Sequence, residues 1–235
     1  MFKKIIRNFI GDAGTKNLTD RQLWVKNTLS SVSKGSRILD AGAGECQYKK
    51  YCTHLNYVSQ DFNEYKGDGN GAGIQTGVWD TTSIDIVSDI ISIPEPDQSF
   101  DAIFCTEVFE HIPDPILAIK EFNRLLKPGG KLIVTAPFNS LTHFAPYHFS
   151  TGFNKYYYDW HLTQNGFKID EMSLNGDYSE YVAQEVRRVL TVYGKSPIYI
   201  RICAALILRF ININKKSVNT SELGCFGFHV TATKQ

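Results

Sequence analysis

Short apolar runs rich in β-branched residues alternate with helix-like segments along most of this chain. That alternation restricts it to few architectures. Arg37-Ile-Leu-Asp40, Tyr57-Val-Ser-Gln-Asp61, Ile84-Asp-Ile-Val87, Phe100-Asp-Ala-Ile-Phe-Cys105 and Lys131-Leu-Ile-Val-Thr135 read as strands. Before the first, Leu18, Val25, Leu29 and Val32 recur at roughly helical spacing behind an N-cap candidate at Thr19. Residues 114–127 carry Ile116, Ile119, Phe122, Leu125 and Leu126 on one helical side, with Pro128-Gly-Gly130 as the expected stop. A sixth strand is expected at Gly166–Ile169, a helical tract from about Tyr181 to Ile211, and a last strand at Phe226–Ala232. Such an order predicts an α/β fold, a parallel sheet with helices on both faces. Residues 64–83, rich in Gly, Asp, Asn and Thr without apolar periodicity, read as a loop or insertion with a functional or mobile role.

Composition narrows the function. With 235 residues and 43% hydrophobic content, the chain suits one core with added elements rather than two equal halves. The net charge of +1 hides an uneven distribution: residues 40–114 hold 14 acids and 3 bases, whereas residues 181–235 hold eight bases and two acids. A uniformly basic nucleic-acid binder is excluded. Five scattered cysteines without a CxxC pair argue for reduced thiols and a cytoplasmic setting, not zinc or disulfides. Arg7 interrupts the apolar run of MFKKIIRNFIG, so it lacks the pattern of a signal peptide, and the apolar stretch Ile198–Phe210 carries Arg201 and Arg209 and is short for a bilayer span.

The informative constellation begins at Leu39-Asp-Ala-Gly-Ala-Gly44. A strand running into closely spaced glycines lets a ligand approach the backbone and its amides. The dinucleotide pattern GxGxxG would need a small residue where Gln47 stands, which disfavours NAD-dependent and nucleotide-sugar enzymes. Asp61 falls 17 residues after Gly44 at the end of the next strand, where a carboxylate accepts both hydroxyls of a ribose, and Asp89 ends the third strand, suited to an adenine amine. Each aspartate taken singly is equally a cap or turn residue.

LDAGAGECQ, YVSQD, DIVSDIISIPEPDQSFDAIFCTEVFEHIPDP and LKPGGKLIVTAPF together resemble the class I S-adenosylmethionine-dependent methyltransferases over roughly residues 35–138, and FGFHVTATK resembles that family's last strand. The resemblance implies a Rossmann-like sheet, mostly parallel with an antiparallel final strand. It implies S-adenosyl-L-methionine as cofactor and S-adenosyl-L-homocysteine as product. Asp40, Gly42, Ala43 and Gly44 would line the methionine portion, Asp61 the ribose, Phe62, Asp89 and Ile90 the adenine, while Thr106 and Glu107 border the pocket. Cys46 departs from the family, standing where many members have a third glycine. The implied organisation is one domain over 1–235: a helical segment 1–34, a cofactor-binding core 35–138, an acceptor-side region 139–180, a helical insertion 181–216 and a final strand 225–233.

On the acceptor side, methyl transfer from a sulfonium needs alignment, a dry site and a base where the nucleophile carries a proton. His111 after the fourth strand and His148 are the candidate bases, with a family-typical turn as the alternative reading of Glu110-His111. The aromatic segment from His143 to Tyr158 suits a sugar or ring, or equally an aromatic helix packed on the core. It resembles the acceptor region of enzymes from bacterial surface-polysaccharide pathways. Glu107-x-x-Glu110-His111 with His143 or His148 also resembles the metal site of some diol-methylating members, although no metal is favoured.

The tract from Gln184 to Lys216 mixes Arg187, Arg188, Arg201, Arg209, Lys215 and Lys216 with apolar residues. It reads as a cover over the sheet, or as a lid, dimer contact or membrane-surface face for an anionic or lipid-linked acceptor. The expected activity is methylation of a hydroxyl on a small molecule or glycan, at the cytoplasmic side or inner membrane face. An N-methyltransferase and a non-catalytic cofactor-binding module are the alternatives.

Overall fold

The computed structural model describes residues 9–67, 74, 77, 79–192, 197–214 and 223–235. The beginning of the expected helical segment 1–34, the middle of the 64–83 segment, and Lys215 and Lys216 of the 181–216 insertion lie outside the described residues. The chain divides into two compact units: residues 1–22 with 174–226, and residues 23–173 with 227–235.

The elements run in the order α1 (Asn17–Ser31), β1 (Arg37–Ala41), β2 (Asn56–Asp61), β3 (Ile86–Val87), β4 (Phe100–Thr106), α2 (Pro115–Leu125), β5 (Leu126–Pro137), α3 (Lys155–Gln164), β6 (Phe167–Asn175), α4 (Tyr178–Val192), α5 (Ile198–Ile213) and β7 (Gly227–Lys234). Seven strands form one sheet in the order β3-β2-β1-β4-β5-β7-β6. The pairs β1–β2, β1–β4, β2–β3 and β4–β5 are parallel, and β7 runs antiparallel to β5. This is the expected doubly wound sheet. Its strand order reverses beside β1, where open α/β sheets form a ligand crevice at the carboxyl edge.

In the larger unit, Val25 and Leu29 of α1 are fully buried with Ile38, Phe104 and Ile133 beneath them, and Trp24, Tyr51 and Tyr57 pack around this cluster. Elsewhere α2 buries Ala118, Ile119, Phe122 and Leu125. Its N-cap is Asp114, whose carboxylate accepts from the Ile116 amide, and Pro115 follows at the first helical position.

Three local expectations fail. Thr19 is not an N-cap: the helix begins at Asn17, and the Thr19 hydroxyl donates back to the Lys16 carbonyl. Leu18 is likewise exposed rather than buried. The helix α2 does end ahead of Pro128-Gly-Gly130, at Leu125, and these three residues lie inside β5, where the pairing slips from Phe100↔Leu126 to Ala102↔Lys131; Gly129 at φ +77° supplies the left-handed turn of this bulge. The third strand is only Ile86–Val87, because its pairing with β2 is confined to Gln60 and Asp61.

The smaller unit contains α4 and α5. Ala183 and Leu208 are buried against Ala13, with Ile10, Val186 and Ile211 around them. Hydrogen bonds fix the preceding chain: Glu180 accepts from the Gly14 amide at 2.6 Å, and the Arg187 guanidinium donates to the carbonyls of Ala13 and Gly11.

Candidate functional site

Parallel register carries the ends of β1, β2, β4 and β5 to one edge of the sheet. Asp40 lies opposite Ser59 and Phe104, and Thr106 lies opposite Thr135. After β1 the chain turns sharply through Gly42 at φ +75° and Gly44 at φ +52°. A Cβ at Gly42 would stand 2.6 Å from Val108 Cγ2, and one at Gly44 would collide with the Trp79 ring. Both conformation and space therefore demand glycine. Cys46 at φ +54° holds the same left-handed conformation with a side chain, a strain that a third glycine would not carry.

Asp61 and the loop are bound together. One Asp61 oxygen accepts from the Gly44 amide at 2.9 Å and the other from Asn63 at 2.8 Å. Gln60 accepts from Gly42 through its backbone carbonyl, while its amide Nε2 donates to the Ser88 carbonyl at 2.7 Å, tying the loop to the segment that leads to Asp89. Asp40 is 2% exposed, and burial raises its carboxyl to about 7. The hydrogen bond from the Tyr57 hydroxyl at 2.7 Å opposes that shift, and neighbouring Asp61 adds to it. A buried acid held so close to neutrality is poised to respond to a cation.

The other expected residues are more dispersed. Asp89 is exposed, two residues past β3, and accepts from the Ile91 amide, while Ile90 is buried. Phe62 is partly exposed, with its ring 5.0 Å from that of Tyr147. Glu107, at φ +56°, accepts from the Thr135 hydroxyl at 2.9 Å. A groove of about 530 Å³ at the opposite edge, lined by Ser33, Ser36, Asp101, Lys127 and Gly129 among others, holds none of the residues expected to act.

His111 and His148 do come together, and His143 joins them. Ring nitrogens of all three lie within 4.8 Å of one another. His111 Nδ1 is 2.6 Å from the Tyr147 carbonyl and His143 Nδ1 is 2.9 Å from that of Leu141. Each Nδ1 therefore carries the proton, leaving the Nε2 lone pair free. Both Nε2 atoms face Glu110 Oε1, at 3.7 Å and 3.9 Å. Burial, together with the two neighbouring imidazoles, lowers His111 to about 3, and burial with the neighbouring His143 lowers His148. Neither buried nitrogen of His148 has a hydrogen-bond partner among the described residues. Three convergent imidazoles, two of them anchored through Nδ1 on backbone carbonyls, form a donor set that fits a divalent ion.

An aromatic wall stands beside the cluster. Phe144 stacks on Tyr65 at 4.4 Å, meets Trp79 edge-on at 4.8 Å and tilts against His111 at 4.7 Å. Tyr65 and Trp79 come from the expected loop 64–83, and Ile74 pairs with His143 through a backbone bridge. Sequence reasoning had no signal for Trp79. Gln60 and Tyr57 lay within the quoted strand, but a strand assignment alone does not give them a partner.

The sheet, the glycine turn after β1 and the two buried carboxylates beside it define the class I S-adenosylmethionine-dependent methyltransferase architecture. Comparison with known proteins agrees. Residues 39–134 match the family model described as a methyltransferase domain. Over 104 residues the chain is 41% identical to a ubiquinone biosynthesis O-methyltransferase of Xanthomonas oryzae pv. oryzae, covering 43% of each protein. It thus spans less than half the length of the curated relatives it matches. Among solved structures, Haemonchus contortus phosphoethanolamine N-methyltransferase 2, in complex with S-adenosyl-L-methionine, aligns with TM-score 0.52 and 16% identity over 92% of this chain and 52% of that one. The cyclase SpnF aligns with TM-score 0.54 and 19% identity over 92% of this chain and 80% of that one. The fold is shared across these proteins, and their different names show why the reaction must be argued from the site.

Proposed function

We propose that this protein transfers a methyl group from S-adenosyl-L-methionine to a hydroxyl of a small molecule or glycan. The observation that carries the reading is the junction of Asp40, Gly42, Gly44 and Asp61: two buried carboxylates around a glycine turn at the carboxyl edge of β1 and β2. In this reading Asp40 faces the cationic methionine portion and the Gly42–Gly44 turn lets it approach. Asp61 accepts from the ribose hydroxyls, Phe62 and Ile90 flank the adenine with Asp89 at its edge, and Thr106 and Glu107 border the reacting sulfonium.

The acceptor lies against His111, His143, His148 and the Phe144–Trp79–Tyr65 wall. Its hydroxyl oxygen attacks the methyl carbon in line with the departing sulfur, and its proton passes to His148 or His111. The excluded water and the fixed rings supply orientation. A glycan or ring acceptor suits the aromatic wall, and an anionic or lipid-linked one suits the basic ends of the chain. Five thiols without disulfides suit a cytoplasmic setting.

A second reading is favoured by one observation. An imidazole lowered to about 3, as His111 is, accepts a proton poorly at neutral pH. The trio would instead hold a divalent ion with Glu110 beside it, and such an ion lowers the pKa of a hydroxyl that it binds. In that case His111, His143 and His148 orient the acceptor oxygen.

Calorimetry with S-adenosyl-L-homocysteine tests the cofactor half, with one-site binding expected. An acceptor screen with labelled cofactor, run with chelator and with added divalent ions, tests the other half. Turnover on phenols or sugars is expected. Loss on chelation and recovery on add-back selects the metal reading, whereas undiminished turnover removes it. Full activity on an amine after replacing both His111 and His148 would make this an N-methyltransferase, and cofactor binding without turnover on any acceptor would leave a binding module.

A further inference from the structure

Helix α5 has two unlike long faces. Ala204 and Leu208 are buried, and Ile211 packs beside them. On the other side Tyr199, Ile202, Leu206, Phe210 and Ile213 follow one another at intervals of three and four residues, which aligns them in a single stripe. All five are exposed, Tyr199 at 65% and Phe210 at 67%. Isolated exposed apolar residues are ordinary, but a continuous stripe of this length on one helix is not.

Charge identifies the occupant. Seven Lys and Arg residues and no Asp or Glu lie between residues 186 and 221. Arg187 and Arg188 are engaged within their own unit, Arg187 on backbone carbonyls and Arg188 on Glu185. Arg201 is exposed on α5, and Arg209 flanks the stripe with its guanidinium over the Phe9 ring at 5.4 Å. Lys195 precedes the helix in sequence, and Lys215 and Lys216 follow it. Pairing two copies of this face about a two-fold axis would set cations against cations with no acid in the segment to receive them. A helix of 16 residues reaches only about 24 Å, short of a bilayer core of about 30 Å, and no described helix is long and apolar enough to cross a membrane.

We propose that α5 lies in the headgroup region of an anionic lipid bilayer, with its Tyr199–Ile213 stripe buried at the acyl boundary and its cations against lipid phosphates. Tyr199 and Phe210 sit near the two ends of the stripe, where rings anchor an interfacial helix. The proposal is independent of methyl transfer.

Full-length protein is sedimented with vesicles of phosphatidylcholine alone and of phosphatidylcholine mixed with phosphatidylglycerol. Binding is expected to the mixed vesicles, to weaken as salt is raised, and to be marginal on phosphatidylcholine. The double variant Leu206→Asp/Phe210→Asp should partition at least roughly tenfold less, because it removes two apolar anchors and adds negative charge. Arg201→Gln should weaken binding only on the anionic vesicles. Thermal unfolding establishes that each variant is folded; should the double variant fail to fold, Arg201→Gln and the salt series decide the matter. Absence of binding to the mixed vesicles overturns the proposal, as does unchanged binding by a folded double variant. A dimer in sedimentation velocity that the double variant abolishes would make a second copy the occupant and also overturn it.

Discussion

The glycine turn and the histidine cluster stand at the same edge of one sheet, and they are built by opposite means. At the turn, backbone amides of Gly44 and Asn63 close on Asp61, and Gln60 bridges Gly42 to Ser88. Gln60 and Asp61 end β2, so strand register places the two residues whose hydrogen bonds hold the turn. The cluster is held by ring against ring: His111, His143, His148 and Phe144 touch through faces and edges, and His148 has no hydrogen bond among the described residues. The first region is satisfied in the folded chain itself. The second leaves a polar side chain unsatisfied, which is a cost borne for something that binds there. The family match covers the first region and stops at residue 134, before His143 and His148.

The largest effect expected from this contrast is on cofactor affinity. Asp61→Ala removes the acceptor of two backbone amides as well as the proposed ribose partner. Calorimetry should show a loss of about a hundredfold, or about 2.7 kcal/mol. His148→Ala should leave affinity within about twofold while abolishing turnover. If both variants lose affinity equally, the two regions are one site and the contrast is broken.

Gly42→Ala should destabilise the fold by about 2 kcal/mol, read by denaturant unfolding, since it combines a left-handed conformation with a Cβ pressed on Val108. Gly129→Ala supplies the control. It has a similar φ of +77° but nothing within 4 Å, and so should cost only about 1 kcal/mol.

The pH dependence of binding follows from Asp40. In the free protein its carboxyl titrates at about 7, and a bound cation pulls that value down, so binding releases a proton. Affinity for S-adenosyl-L-methionine should therefore climb as pH rises toward 7 and level off above it, by roughly tenfold between pH 6 and pH 8. Asp40→Asn should flatten the curve. A profile that falls with rising pH would assign the cation to another partner.

The smallest expected effect sharpens the comparison most. Because the buried ring nitrogens of His148 have no hydrogen-bond partner among the described residues, His148→Leu should stabilise the protein by about 1 kcal/mol in thermal unfolding while turnover disappears. Loss of stability would mean that the ring packs for structure.

Much of the first region was legible before any coordinates. Short apolar runs rich in β-branched residues give β1, β2, β4 and β5 because composition over five or six residues is a local property, and Gly42 and Gly44 are conspicuous because only glycine tolerates such a turn. The failures were local as well. Thr19 has the chemistry of a cap, but the helix starts two residues earlier, and Leu18 keeps the helical spacing of its neighbours yet is exposed. The second region was legible only as a list of residue types. Nothing in the order of His111, His143 and His148 says that three rings converge, or that Trp79 lies over Gly44.

The sequence by itself determined the sheet, its edge and the acids that end its strands, because each depends on spacing within a few residues. Tertiary structure alone decided that three imidazoles share one small volume and that one face of α5 is left uncovered. Those depend on how distant segments pack, and packing distances are not written in any local period.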